Sequence, residues 1–188
     1  MTYDPRHDVN AAYELMATLF ETDDAPERAM TIAAAMVELG EDRSWASVWW
    51  AYGAVHHDLS DEAYARALDL LARVDRSEEA RAAALMLIAE IESTQAIDAG
   101  GSPDPRRQAE LLSEAVALAP AWPSLRLRFA YPLRELGQID ASRREAQTAL
   151  DQLDRAVTTG DPFESAITGA SLDRAYVAGE VRAFGVGA

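Results

Sequence analysis

Apolar positions along this chain recur every three to four residues, and strict alternation of Val, Ile, Thr and aromatics is missing. The pattern predicts helices and no strands. Stretches such as "MTIAAAMVEL" and "AALMLIAEIE" are Ala-, Leu- and Glu-rich, and short polar turns separate them. Helices are predicted at about 8–22, 26–38, 44–57, 60–73, 77–97, 104–118, 123–136 and 139–156, with a last one at about 171–184. The punctuation agrees. Pro26 suits a first helical turn, Ser60 and Ser77 precede helices they can cap, and Gly40 and Gly137 follow "VEL" and "REL" as stops. The loop "DAGGSPDP", Asp98 to Pro105, is the strongest internal break and reads as a divide between two halves of one array.

Pairing the helices exposes a repeat. Met16 and Ala17 recur as Trp50 and Ala51, Ala29 and Ala33 as Ala63 and Ala67, and Ala115 as Ala149, each at a spacing of 34 residues. Tyr13, Met16, Ala17 and Phe20 fit the pattern W-x2-L-G-x2-Y, as do Trp50, Ala51 and Ala54, then Phe129, Ala130 and Leu133. Second helices carry Ala29, Ala33 and Met36; Ala63, Ala67 and Leu70; Ala115 with Pro120; and Ser142, Ala146 and Ala149. In these residues the chain resembles the tetratricopeptide repeat family. The resemblance covers about residues 8–157. It implies an all-α fold of antiparallel helix pairs stacked as a short right-handed α-solenoid of about four pairs. Residues 158–188 are then a linker and a C-terminal capping helix or tail. The sequence departs from the pattern in three places. Ala replaces the bulky aromatic of each second helix. The step from Ala63 to Gln108 is 45 residues, an insert near 95–105. Pro132 stands inside a first helix, where it removes a hydrogen bond and should kink the helix near Arg128.

Composition narrows the function. The formal net charge is −15, from 32 acids and 17 bases, a field that repels a phosphate backbone, so no nucleic acid is expected. Every base is Arg. The lack of Lys excludes a Walker lysine, a Schiff base and a Lys general base, and with abundant Ala it suggests a GC-rich bacterial source. With no Cys there is no disulfide, thiolate zinc site or Cys nucleophile. The start, "MTYDPRHDVN", lacks the basic and apolar regions of a signal peptide, and no apolar run is long enough for a bilayer. A cytoplasmic location without membrane contact is expected.

Three of the four tryptophans fall in "SWASVWWAYGAVHHDLSD". Trp50, Ala51 and Ala54 take the packing face. Trp45, Val48, Tyr52, Val55 and His56 follow i, i+3, i+7, i+10 and i+11 on a second face. In the tetratricopeptide family that second face of each first helix lines the concave groove that holds a peptide. The resemblance therefore implies a groove of Trp45, Val48, Tyr52 and His56. Ala11, Glu14, Thr18 and Glu21 join it from the first pair, Glu78, Arg81, Leu85 and Ile88 from the third, and Ser124, Leu127, Tyr131 and Arg134 from the fourth. Such an aromatic groove with an acidic rim favours a protein or peptide partner carrying basic and apolar residues.

Sites for chemistry are weak by comparison. His56 and His57 are adjacent, about 100° apart on a helix, whereas helical zinc pairs use i, i+4. There is no G-x-S-x-G, and the acids Asp58, Asp61 and Glu62 lie where a helix N-terminus attracts them anyway. No catalytic residue, metal or cofactor is expected. Two alternatives to an interaction module stay open: a small-molecule binder or hydrolase using His56 and nearby carboxylates, and a self-assembling scaffold such as a homodimer. The tail, with Leu172, Ala175, Tyr176, Gly179 and Ala183 at helical spacing, either caps the last pair or occupies the groove.

Overall fold

The apolar periodicity folds as helices, and no strand occurs among the described residues. The computed structural model describes residues 12, 15, 16, 18, 19, 26–39, 43–56, 61–74, 77–154 and 174–185. Ala12, Leu15, Met16, Thr18 and Leu19 are helical. After them come α1 (Pro26–Leu39), α2 (Arg43–His56), α3 (Asp61–Leu71), α4 (Glu78–Asp98), α5 (Pro105–Leu118), α6 (Pro123–Glu135), α7 (Ile139–Asp154) and α8 (Arg174–Gly185). Each helix packs on its chain neighbour in the order α1–α2–α3 and α5–α6–α7–α8.

Local chemistry sets the ends. Pro26, Pro105 and Pro123 open their helices, where a missing N–H costs nothing. The Ser77 hydroxyl accepts from the Ala80 N–H at 3.1 Å, and an Asp104 carboxylate oxygen accepts from the Arg106 N–H at 2.9 Å. Two helices end in Schellman turns. Gly100 N–H donates to the Ile97 carbonyl and Gly101 to Ala96; Gly137 donates to Arg134 and Gln138 to Leu133. Gly100 and Gly137 sit at φ 74° and 73°, in the left-handed region. A Cβ added to Gly137 would meet nothing within 4 Å, so backbone strain alone decides its cost. Gly137→Ala is expected to lower stability by about 1–2 kcal/mol, and Gly137→Asn by less, read as shifts in a urea midpoint. Gly40 and Ser60, expected as a stop and a cap, lie outside the described residues.

The chain divides into two compact units, Met1–Ile91 and Glu92–Ala188. The divide falls within α4 and not at the Asp98–Pro105 loop that the sequence suggests. The reason is visible in the last turns of α4. Glu92 receives two bonds from the Arg107 guanidinium, at 3.2 Å each, and Ser93 accepts from Gln108, which ties these turns to α5. The carboxylate raises the Arg107 pKa above its ordinary value. Much of the expected insert is helix: α4 has 21 residues against 14 in α2, about two extra turns. Its first half is buried nearly all round, from Ala80 to Ile91.

In the first unit Ala29, Ala33 and Met36 of α1, and Ala51 and Ala54 of α2, are buried as the repeat requires. On α3 the buried face is Tyr64, Ala67 and Leu71. Ala63 and Leu70 are only half-buried, so this face is rotated by one residue from the one expected, toward the larger Tyr64.

In the second unit small residues let α6 and α7 meet. Ala130, Ala146 and Ala149 are wholly buried, and the buried Ser142 hydroxyl donates to the Ala130 carbonyl at 2.7 Å. The Pro120 carbonyl accepts from Arg126 Nε at 3.0 Å and Gln152 Nε2 at 2.8 Å, fixing the turn before α6. Arg126 also pairs with Glu145 of α7 at 2.7 Å. Helix α6 runs through the buried Pro132 and ends within one turn of it, so the proline costs few ladder bonds. Helix α8 covers this pair: Val177 is buried against Leu127, Ala130, Ala146 and Ala149.

Candidate binding face on helix α2

Helix α2 carries two apolar faces because its aromatics come in two phases. Trp50 shares a side with Ala51 and Ala54 and is 7% exposed. The Arg66 guanidinium of α3 lies over its ring, 4.7 Å from the centroid. Trp50 is thus a packing residue with a charged lid, as its register predicts.

The other face holds a chain of stacked rings. Trp49 meets Tyr52 edge-on, centroids 5.9 Å apart at 80°. Tyr52 meets His56 at 4.3 Å and 54°. His56 Nε2 lies 3.9 Å from a carboxylate oxygen of Glu90 on α4. Trp45, Trp49, Tyr52 and His56 follow i, i+4, i+7 and i+11, one stripe of a helix. The edge-to-face Trp49–Tyr52 pair is worth roughly 0.5–1.5 kcal/mol beyond its buried area. His56 also closes the last turn of α2, where a cation is favoured by the helix dipole.

Burial runs along the stripe. Trp49 is 1% exposed and Val48 0%. Trp45 and Tyr52 are half-buried, and His56 is open, its side chain a third exposed. Val48 is therefore core and not groove lining: its branched side chain is fully enclosed in the first unit. Trp49, which the i+3 spacing passed over in favour of Val48, is the inner member of the ring chain. The signal was present in the sequence, because Trp49 is i+4 from Trp45 and three before Tyr52.

The remaining groove residues divide. Arg81 is exposed on α4. In the second unit Tyr131 and Arg134 are exposed on α6, whereas Leu127 and Ser124 are buried at 3% and 1%. Leu127 cannot line an open groove because Val177 of α8 packs on it. Glu14, Ala11 and Glu21 lie outside the described residues, as do His57 and Asp58. Asp61 and Glu62 occupy the first turn of α3, where the helix dipole favours acids. Among the described residues no group of three or more His, Asp or Glu is placed to hold a metal ion. None of their helices is long and apolar enough to cross a membrane.

This architecture of helix pairs closed by small residues is the TPR-like repeat fold. The chain is similar to the crystal structure of a Podosopora anserina protein described as a kinesin light chain with nearly identical TPR-like repeats. The similarity has a TM-score of 0.52 at 14% identity and covers 97% of both chains. At that identity the likeness concerns the fold. No family model matches the sequence, and no curated protein matches it.

Proposed function

We propose that this chain is a non-enzymatic protein-interaction module whose α2 face binds a peptide or helical segment with basic and apolar residues. The observation that carries this reading is the graded ring chain. Trp49 anchors Tyr52 from within the core, His56 packs on the Tyr52 ring, and Trp45 stands half-covered on the same stripe. Rings held from behind lose little freedom on binding, which favours affinity. Exposed aromatic surface is what interaction faces carry. Glu90 stands at one end of the stripe, where a peptide Arg or Lys lying on the Tyr52 edge would find a carboxylate. The acidic chain favours approach of such a cation.

A peptide array varying Arg, Lys and apolar content tests this reading. Trp45→Ala is expected to abolish capture of the Arg-containing apolar peptides that bind the wild type, at a stability cost of about 1 kcal/mol. Glu90→Gln should weaken the Arg-dependent part alone. If Trp45→Ala instead unfolds the first unit, or leaves capture intact, the face is not the binding site.

A further inference from the structure

The chain already places a basic group where a ligand's cation would lie on the α2 face. His56 is the last residue of α2, and its side chain is open to water. Its ring stands 4.3 Å from the Tyr52 ring, tilted at 54°. Its Nε2 stands 3.9 Å from a Glu90 carboxylate oxygen of α4. One side chain thus meets the two groups that an Arg or Lys needs on this face, an aromatic surface and a carboxylate. Once protonated, the imidazole makes the contacts of that cation: an ion pair with Glu90 and a cation–π contact with Tyr52. Glu90 is half-buried in the middle of a 21-residue helix, whereas His56 sits exposed at a helix end. Of the two, the imidazole is the one with room to swing out.

The surroundings favour a cation at that point. Helix α1 packs on α2 and is joined to it by three residues, so the two run antiparallel. The first turn of α1, with Glu27 and Arg28, is thereby brought toward the end of α2 that carries His56. Helix α3 also packs on α2 and opens with Asp61 and Glu62, five and six residues after His56. Its Arg66 is turned to Trp50 on the opposite face. Helix α4 brings Glu90, with Arg81 exposed about two and a half turns before it. The last carbonyls of α2 add the negative end of the helix dipole. Near the seat, then, Glu27, Asp61, Glu62 and Glu90 stand against Arg28 and Arg81.

We propose that the point between the Tyr52 ring and Glu90 is the seat of the ligand's cation, and that His56 is a gate which closes this seat when its imidazole is protonated. The inference rests on the reading of the α2 face given above. Its sign follows from charge. An ordinary histidine titrates at about pH 6.5. Below its titration His56 is a cation, pairs with Glu90 and repels a second cation. As the pH rises through it the proton leaves, the ion pair is lost, and Glu90 becomes available to the ligand's Arg or Lys. A resident that fills a seat lowers the apparent affinity of any rival by the fraction filled. An exposed ion pair and an exposed cation–π contact each shift an equilibrium by up to about fivefold. Binding is therefore expected to strengthen about three- to tenfold from pH 5.5 to pH 8.

The test uses the full chain and a labelled peptide of Leu and Arg from the array, its ends blocked so that nothing in it titrates between these two pH values. Fluorescence anisotropy reads the affinity at each. The wild type is expected to bind more tightly at pH 8, by the factor above. His56→Gln, neutral at both, should bind alike at both, and more tightly than the wild type at pH 5.5. It keeps His7 and His57, so their titration is controlled for. His56→Arg, charged at both, should bind weakly at both. The same peptide with citrulline for Arg should show no pH dependence. A measurement without peptide checks the pair itself: Glu90→Gln should lower the midpoint of the His56 ring-proton titration followed by NMR. An unmoved midpoint, a wild-type affinity equal at the two pH values, or the same pH response in His56→Gln would overturn the gate and leave the α2 reading standing. If no Arg-containing peptide bound either the wild type or His56→Gln at either pH, that reading would fall and the gate with it.

Discussion

Trp49→Ala is expected to destabilise the first unit by about 3–5 kcal/mol, several times the cost of Trp45→Ala four residues earlier. Both are tryptophans on the same stripe of α2. They differ in enclosure: Trp49 is 1% exposed, and Trp45 is half-buried. Truncating an enclosed ring loses its transfer free energy and leaves a cavity that a close-packed interior fills only in part. Truncating a half-covered ring lets water in and leaves little void. Trp49→Ala also removes the backing of Tyr52, whose ring it meets edge-on at 5.9 Å. The variant should therefore weaken peptide binding as well, whereas Trp50→Ala, on the opposite face under Arg66, should destabilise by a similar amount without disturbing the ring chain. Chemical denaturation followed by far-UV circular dichroism measures the first effect. The near-UV signal of Tyr52 separates Trp49 from Trp50. Equal costs for Trp45→Ala and Trp49→Ala would mean that the stripe is core along its whole length.

Ala130→Leu should destabilise the second unit by about 1–3 kcal/mol and release α8 at the same time. Ala130 is wholly buried at the point where α6, α7 and α8 converge, touching the cluster of Leu127, Ala146, Ala149 and Val177. No space exists there for three more carbons, so the helices must separate. The Ser142 hydroxyl, 2.7 Å from the Ala130 carbonyl, would lose its bond as they do. The matched control is Ala117→Leu on the exposed side of α5, expected to change stability by about 0.5 kcal/mol or less. Thermal unfolding compares the two, and proteolysis after Arg174 and Arg182 reports α8. If Ala130→Leu were as mild as Ala117→Leu, the close approach of α6 and α7 would not depend on small side chains.

The two cases show which features of the chain could be read in advance. The helices were legible because each writes its own period of 3.6 in apolar residues and its own ends in Pro, Ser and Gly. The small residues of the repeat were legible for the same reason: Ala29, Ala33, Ala51, Ala54, Ala115, Ala130, Ala146 and Ala149 are all at 0% exposure. The face of α3 was less so. Ala63 and Tyr64 are neighbours, and the preference for Tyr64 inside depends on what α2 offers it. The candidate site was partly legible. The period puts Tyr52 and His56 on one stripe of α2, and their rings stand 4.3 Å apart. Val48 and Leu127 satisfied the same spacing and are enclosed. Their exposure depends on Val48's neighbours in the first unit and on the return of α8, 19 residues after α7 ends, to cover Leu127.

The sequence by itself determined the helices, their caps and the residues small enough to sit between them, because these follow from dihedral preference and side-chain volume within a few turns. Only the tertiary structure decided which aromatic is anchor and which is surface, that α4 carries the divide between two units, and that α8 rests on the rim of α6. Those outcomes depend on groups far apart in the chain, Tyr131 and Glu180 or His56 and Glu90. No local period encodes such pairings, because the free energy that selects them comes from desolvating two surfaces together.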